Sequence, residues 1–360
     1  MPNDTTVPLE EDLSLVERLS SALVVSGLSQ EINDMQTMAD TGLAHHHVWL
    51  HRDAIDWVAR LPKQSQMGLD PRANLAYQAA CFERAGASGH APSLQGVLPP
   101  SEVLPRGGLL VSAIRGRPAR LPEDLTAIAE ALASIHLQEV PPGEARLPLL
   151  APPIPWKPMV EEVMAQAAFL DEADLEPAAH QLVRDELAAL PEALPGGRLN
   201  EPRLISFDAH PGNFLIADSG LAVLVDLEKC RYGLPGFDLA HASLYTSTTW
   251  DLISHAELTA DEVVDFYRHW QATMGIHGET ATLLSCRRAM WLWSLTWCAK
   301  WRASHRREHD RQARGEDWSA ELSDDALVAH VRDRVDHYLS TAIIEHVQRE
   351  FRTLEKALTD

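Results

Sequence analysis

Basic residues are scarce in this 360-residue chain: 31 Lys and Arg stand against 52 Asp and Glu, a formal charge of −21 with histidine neutral. So acidic a chain lacks the cationic face that neutralises phosphates along a polymer or at a membrane surface. That excludes nucleic acid and anionic membrane as partners and leaves cationic small molecules open. Cysteine is scarcer still. Cys81, Cys230, Cys286 and Cys298 are scattered, without CxxC or CxxH spacing, so neither a zinc knuckle nor a disulfide framework is indicated and a reducing compartment fits. No run reaches the roughly 18 apolar residues of a membrane span; even MWLWSLTWCAKW is broken by Ser294, Thr296 and Lys300. The first thirty residues lack the basic start and continuous apolar core of a signal peptide. These absences together read as a cytoplasmic protein, and no internal repeat is visible.

What is present is an ordinary globular composition, 45% hydrophobic and 23% charged, able to bury a core and long enough for two lobes. Apolar residues recur at helical spacing from Leu13 to Leu28, with Gly27 as a stop signal. HHHVWLHR and DWVARLP read as a hairpin around Asp53–Asp56, Asn74–Ala85 as a helix, and GGLLVSAI (107–114) as a buried strand. After Arg117 the pattern is mainly helical: Pro122–Gln138, Pro158–Leu170, Glu176–Leu190, Ala260–Met274, Thr280–His305 and Leu322–Leu358. The proline-rich stretch 143–158 reads as an exposed connector. Between Pro202 and Gly236 two β-type pieces, LISFD and LAVLVDLE, flank the turn-forming AHPGNFLIADSG. The divisions expected are a helical arm over 1–30, a β-rich N-lobe with its hinge over 31–114, and a helical C-lobe over 115–360 with a catalytic loop at 203–240.

That loop carries the chemistry. Asp208 is followed five residues later by Asn213, and thirteen beyond that by Asp226 at the end of an apolar strand. Phosphoryl transfer needs such groups: a carboxylate to orient or take the proton of an attacking hydroxyl, and an amide with a second carboxylate to hold Mg²⁺ on nucleotide phosphates. The spacing alone is equally served by turn caps and a strand end.

The neighbouring residues decide between these readings. Asp208, His210, Pro211, Gly212 and Asn213 resemble the HGDxHPGN loop of the aminoglycoside phosphotransferase and choline kinase family. Val225-Asp226-Leu227-Glu228 resembles its metal-binding strand end, and Gly233, Pro235, Asp238, Leu239 and Ala240 its following G-x-P-x-x-DLA segment. The resemblance implies an α+β, two-lobed, protein-kinase-like fold. More loosely, TGLAHHHVWLH resembles the nucleotide-covering hairpin, with Gly42 at the turn and the backbone of Leu43, Ala44 and His45 toward phosphates. Arg60 falls where the family carries a phosphate-binding cation, Gln78 where a glutamate pairs with it, and Ser112, Ala113 and Ile114 in the adenine-binding hinge.

Two departures stand out: Ser206-Phe207 replace the His-Gly before Asp208, and Gln78 replaces the glutamate. A serine hydroxyl still bonds nearby backbone, and the base and metal ligands are retained. Two further patterns are set aside: His45-His46-His47 has no ligand cluster near it in sequence, and His305-Arg306-Arg307-Glu308-His309 lies in a charge-dense stretch that reads as a solvated helix end. Trp293, Trp297 and Trp301 share a helix face, either as core or as an aromatic wall for a cationic acceptor. Trp250 with Asp251, and Glu228, are further acceptor candidates.

The resemblance thus implies an ATP-dependent (GTP remaining possible), Mg²⁺-requiring kinase acting on a hydroxyl of a small amine-bearing metabolite. Asp208, Asn213 and Asp226 are its catalytic residues, with Asn213 and Asp226 on the metal. An aminoglycoside acceptor and a nucleotide-binding pseudokinase are the alternatives.

Overall fold

The structure, a computed structural model, describes residues 13–38, 44–307 and 325–359. The chain forms two compact units, one of Met1–Leu75 with Leu94–Ala113 and one of Ala76–Ser93 with Ile114–Asp360.

The first unit opens with α1 (Leu15–Val25), started by a capping box in which Ser14 and Glu17 bond each other's backbone. The strands β1 (Asp34–Thr37), β2 (His45–His51) and β3 (Trp57–Pro62) follow, then α2 (Pro71–Gly86), which runs on into the second unit, and β4 (Leu94–Leu98) and β5 (Gly108–Ser112). The strands form one antiparallel sheet, order β1-β2-β3-β5-β4. Alternate residues Val48, Leu50, Trp57, Ala59 and Leu61 pack one sheet face against Leu19 and Leu23 of α1.

The second unit continues through β6 (Gly116–Pro118), α3 (Leu125–His136), α4 (Trp156–Ala167) and α5 (Pro177–Ala188). After these come β7 (Arg203–Ile205), β8 (Phe214–Ala217), β9 (Ala222–Leu224) and β10 (Arg231–Gly233). Then follow α6 (Pro235–Ser243), α7 (Tyr245–Thr248), α8 (Ala260–Met274), α9 (Thr280–Arg307), α10 (Asp325–Tyr338) and α11 (Thr341–Thr359). α8 shows why these sequences are helices. A Thr259–Glu262 capping box starts it, left-handed Gly275 stops it, and Val263, Phe266, Tyr267, Trp270 and Met274 form one buried stripe.

The expected α+β plan is observed, with three differences. The single helix expected over 322–358 is two, because Ser340 Oγ caps the His337 carbonyl at 2.7 Å and the Ser340 carbonyl accepts from Ile344 N–H at 3.1 Å; residues 322–324 lie outside those described. The connector 143–158 is mostly exposed yet fastened, since Arg84 donates to the carbonyls of Ala145, Arg146 and Leu147 at 2.7–2.8 Å and Leu149 is buried. The strands β1 and β4, absent from the sequence reading, are the sheet's two edges. Among the described residues no helix is long and apolar enough to cross a membrane.

Candidate active site

Two short antiparallel ladders in the second unit build the site. β7 pairs with β10, Ile205 opposite Arg231, so the chain leaving β7 and the chain entering β10 meet at one end. Asp208 and Lys229 are thereby brought together, with Lys229 Nζ 2.9 Å from Asp208 Oδ2. β8 pairs with β9, Phe214 opposite Leu224, which sets Asn213 beside Val225 and Asp226. The Val225 N–H donates to the Asn213 carbonyl at 2.9 Å, and Asn213 Nδ2 donates to the Asp208 carbonyl, also at 2.9 Å.

The loop between β7 and β8 is braced from behind. Ser206 N–H and Phe207 N–H donate to the two carboxylate oxygens of Asp238 at 2.7 and 2.8 Å. Asp238 is fully buried and lies 3.2 Å from His136 Nε2. Trp270 Nε1–H donates to His136 Nδ1 at 3.1 Å, so the neutral imidazole carries its proton on Nε2 and donates to Asp238. Ser206 Oγ accepts from the Asp208 N–H at 2.9 Å, the bond expected of a serine standing where the family has histidine. Phe207 has φ 59°, a left-handed conformation that glycine adopts without cost. Its ring meets Phe237 and Trp293 edge-on at 6.2 and 5.7 Å and carries the Arg231 guanidinium 3.9 Å above it.

The charges are tuned by these contacts. Burial pushes the Asp208 carboxyl up, but the Lys229 ammonium, with His241 and His210, outweighs it and holds the group below its ordinary value. Burial likewise opposes the charge on Lys229, yet Asp208, Glu228 and Asp226 keep its pKa above the usual lysine value. His241, on α6, places Nδ1 3.9 Å from Asp208 Oδ1; burial drives it down to about 4 against the pull of Asp208, so it is neutral at pH 7.

The remaining predicted residues fall as follows. Arg60 is buried on β3 and reaches His47 Nε2 at 3.4 Å. Ala44 and His45 are buried, while Gly42 and Leu43 lie outside the described residues. Ser112 ends β5, and Ala113 commits its N–H to the Asp56 carbonyl at 2.9 Å. Gln78 and Glu228 are both buried and bonded, Nε2 to Oε2, at 3.3 Å; a glutamate at 78 would set two buried carboxylates against each other. Asp251 abuts the loop: a Cβ on Gly212 would lie 2.8 Å from His210 Cε1 and 3.1 Å from Asp251 Oδ2, so a side chain there would crowd both.

The tryptophans divide. Trp293 touches Phe207 and His241 and donates to Glu162 Oε1 on α4 at 2.7 Å. Trp297 meets Trp250, which also stacks on Tyr338. Trp301 is buried against His305, rings parallel at 4.7 Å. Sequence reasoning missed Lys229, His241 and Glu162. For Lys229 a signal existed, a basic residue three positions after Asp226.

Asn213, its amide nitrogen spent on Asp208, retains a side-chain oxygen, and Asp226 supplies a carboxylate. This pair of hard oxygens suits Mg²⁺, which takes few protein ligands and leaves the rest to water and phosphate. Among the described residues no group of three or more His, Cys, Asp or Glu is placed to hold a metal by itself.

The profile described as the phosphotransferase enzyme family matches residues 37–276. No curated protein matches the chain. Among solved structures, a choline/ethanolamine kinase family protein from Mesorhizobium loti is 16% identical, with TM-score 0.57 over 94% of this chain and 98% of that one. An aminoglycoside phosphotransferase in ternary complex with AMP-PNP and hygromycin B is 14% identical, with TM-score 0.55 over 90% and 98%. An aminoglycoside 2′-phosphotransferase in complex with GDP is 14% identical, with TM-score 0.52 over 89% and 98%. These likenesses establish the protein-kinase-like fold, with its β-rich N-lobe and mainly helical C-lobe.

Proposed function

Since the chain belongs to the phosphotransferase enzyme family, we propose that it transfers the γ-phosphoryl group of ATP, with Mg²⁺, to a hydroxyl of a small amine-bearing metabolite of the choline or amino-alcohol kind. One observation supports this reading: Asn213 Nδ2 bonds the Asp208 carbonyl at 2.9 Å and the Val225 N–H bonds the Asn213 carbonyl at 2.9 Å, which gathers Asp208, Asn213 and the strand end that carries Asp226. In the proposed reaction Asp208 Oδ1 receives the acceptor hydroxyl, since Oδ2 is engaged by Lys229. A carboxylate held below its ordinary pKa is too weak a base to strip an alcohol beforehand. Asp208 instead orients the hydroxyl and takes its proton as the new bond forms, which a loose phosphoryl-transfer transition state permits. Asn213 and Asp226 would hold Mg²⁺, whose charge offsets that of the phosphate oxygens.

In the first unit, Arg60 is assigned to the α and β phosphates, with the backbone of residues 42–45. Ser112 and Ile114 are assigned to the base, because the Ala113 N–H is committed elsewhere. Two carboxylates support an amine-bearing acceptor: Glu162, bonded to the indole that touches Phe207 and His241, and Asp251 against Gly212. An ammonium fits a carboxylate beside an aromatic face. An aminoglycoside would use the same groups, and GTP is the alternative donor. Against the pseudokinase reading stand Ser206, whose hydroxyl accepts the Asp208 N–H, and Gln78, bonded to Glu228.

The test is ADP release with Mg²⁺ and ATP in the presence of choline, ethanolamine, neutral sugars or kanamycin. Amine-bearing alcohols are expected to raise the rate at least about tenfold above that with water, as positioned acceptors do. A response to kanamycin alone selects the antibiotic reading, and no response to any acceptor removes the transferase reading.

A further inference from the structure

Asp208, Asp226 and Glu228 put three carboxylates into the segments that the two ladders join, and a triphosphate brings more negative charge to them. Lys229 is the cation set among them. Its place is fixed by the β7–β10 pairing, by a turn in which Cys230 N–H donates to the Leu227 carbonyl at 3.0 Å, and by Arg231 Nε bonding the Lys229 carbonyl at 3.1 Å. Its side chain is 18% exposed, so it is neither sealed in nor free in solvent. An ammonium has three hydrogens to donate. Among the described residues the only hydrogen bond from Lys229 Nζ goes to Asp208 Oδ2, leaving two hydrogens at the oxygen pair that would hold the attacking hydroxyl.

We propose that Lys229 is a catalytic residue, whose ammonium holds Asp208 in place and also donates to the phosphoryl group during transfer. The proposal rests on the kinase reading above. In the step, the acceptor oxygen on Asp208 Oδ1 forms a bond to the γ-phosphorus. The bond from that phosphorus to the β–γ bridging oxygen breaks, its electron pair leaves with ADP, and the hydroxyl proton passes to Asp208. Lys229 keeps its protons throughout. As Asp208 is neutralised, its hold on the ammonium weakens, while the phosphoryl oxygens present charge for the two uncommitted hydrogens. A compact ammonium on a flexible stem can follow that charge where a planar guanidinium could not.

Two readouts separate this role from simple support of Asp208. The first is turnover, as ADP release from Mg²⁺ and ATP with choline, ethanolamine or water as acceptor. The second is binding of ADP and Mg²⁺ by calorimetry with and without aluminium fluoride, which imitates a phosphoryl group in transfer. Lys229→Met is expected to lose about 10²-fold in kcat while keeping ADP affinity. Aluminium fluoride should tighten ADP at least about tenfold on wild type and on Asp208→Asn, but not on Lys229→Met. Lys229→Gln, which keeps a donor for Asp208 without the charge, should behave as Lys229→Met and stands in for it if that variant unfolds. Full tightening in both lysine variants would mean that Lys229 acts only through Asp208, and the proposal falls while the kinase reading stands. A wild-type protein with neither ADP release nor tightening overturns both.

Discussion

Phe207 shows how one residue can depart from a family pattern without undoing the site. The left-handed backbone it adopts costs about 1–2 kcal/mol for a side chain that glycine would not carry. The offset is visible in its N–H bond to Asp238 and in its ring's contacts with Phe237, Trp293 and Arg231. That ring also ties the loop bearing Asp208 to Phe237 and Trp293, a contact no glycine could make. His241 is the second residue with a measurable signature. Its folded pKa of about 4 lies below the ordinary 6.5, so between those values the unfolded chain binds a proton that the folded chain refuses. Its contribution to stability is therefore complete above about pH 6.5 and is lost as the pH falls toward about 4, amounting to about 3 kcal/mol. In His241→Asn this part of the acid sensitivity should vanish. Urea denaturation at pH 7.5 and 4.5 measures it, and equal losses in variant and wild type would refute the assignment.

Among the elements, α6, α8, α9 and α11 meet at one buried cation. Arg287 is fully buried, donates to Ser243 Oγ and carbonyl at 2.8 and 3.1 Å and to Tyr267 at 3.3 Å, and pairs with Glu350. Taking Glu350 away leaves that charge uncompensated, so Glu350→Ala should cost about 3–5 kcal/mol in chemical denaturation; a loss under about 1 kcal/mol would show the pair to be dispensable. Replacing both partners, as Arg287→Met with Glu350→Leu, should cost far less, because no buried charge remains. The long helices were legible in the sequence because their apolar stripes repeat over several turns, as α8 does residue for residue. The strands β7 and β9 fall on LISFD and LAVLVDLE, both read as β-type from their apolar content, whereas β10 is too short to show alternation, and β1, exposed along most of its length, has no buried face to betray it. Lys229 was missed because its place beside Asp208 comes from pairing β7 with β10; a basic residue three positions after Asp226 was the one local hint. For the tryptophans, spacing gave the shared face of α9 but not the depth along it. Trp293 therefore stands at Phe207 and His241 while Trp301 is buried against His305.

At the scale of the whole molecule, the charge of −21 acts against binding a polyanionic nucleotide, and the cations assigned to it are few. A bound Mg²⁺ and local cations would have to offset that field. The same field would favour the proposed cationic acceptor, with Glu162 beside Trp293 and Asp251 against Gly212 as its local carboxylates. The residues proposed as catalytic, Asp208, Asn213 and Asp226, were legible as a group because they stand close together in one stretch of sequence. The groups proposed for the acceptor were not, because they come from α4, α6 and α9, whose residues meet only after folding. The central claim is that Asp208 is the group on which the acceptor hydroxyl is activated. Its most direct test follows labelled γ-phosphate from ATP to the acceptor chosen by the ADP-release screen, in wild type and in Asp208→Ala, with Mg²⁺-ATP affinity measured alongside. Transfer should fall by about 10²–10⁴-fold with nucleotide affinity little changed, whereas transfer at the wild-type rate in Asp208→Ala would contradict the assignment.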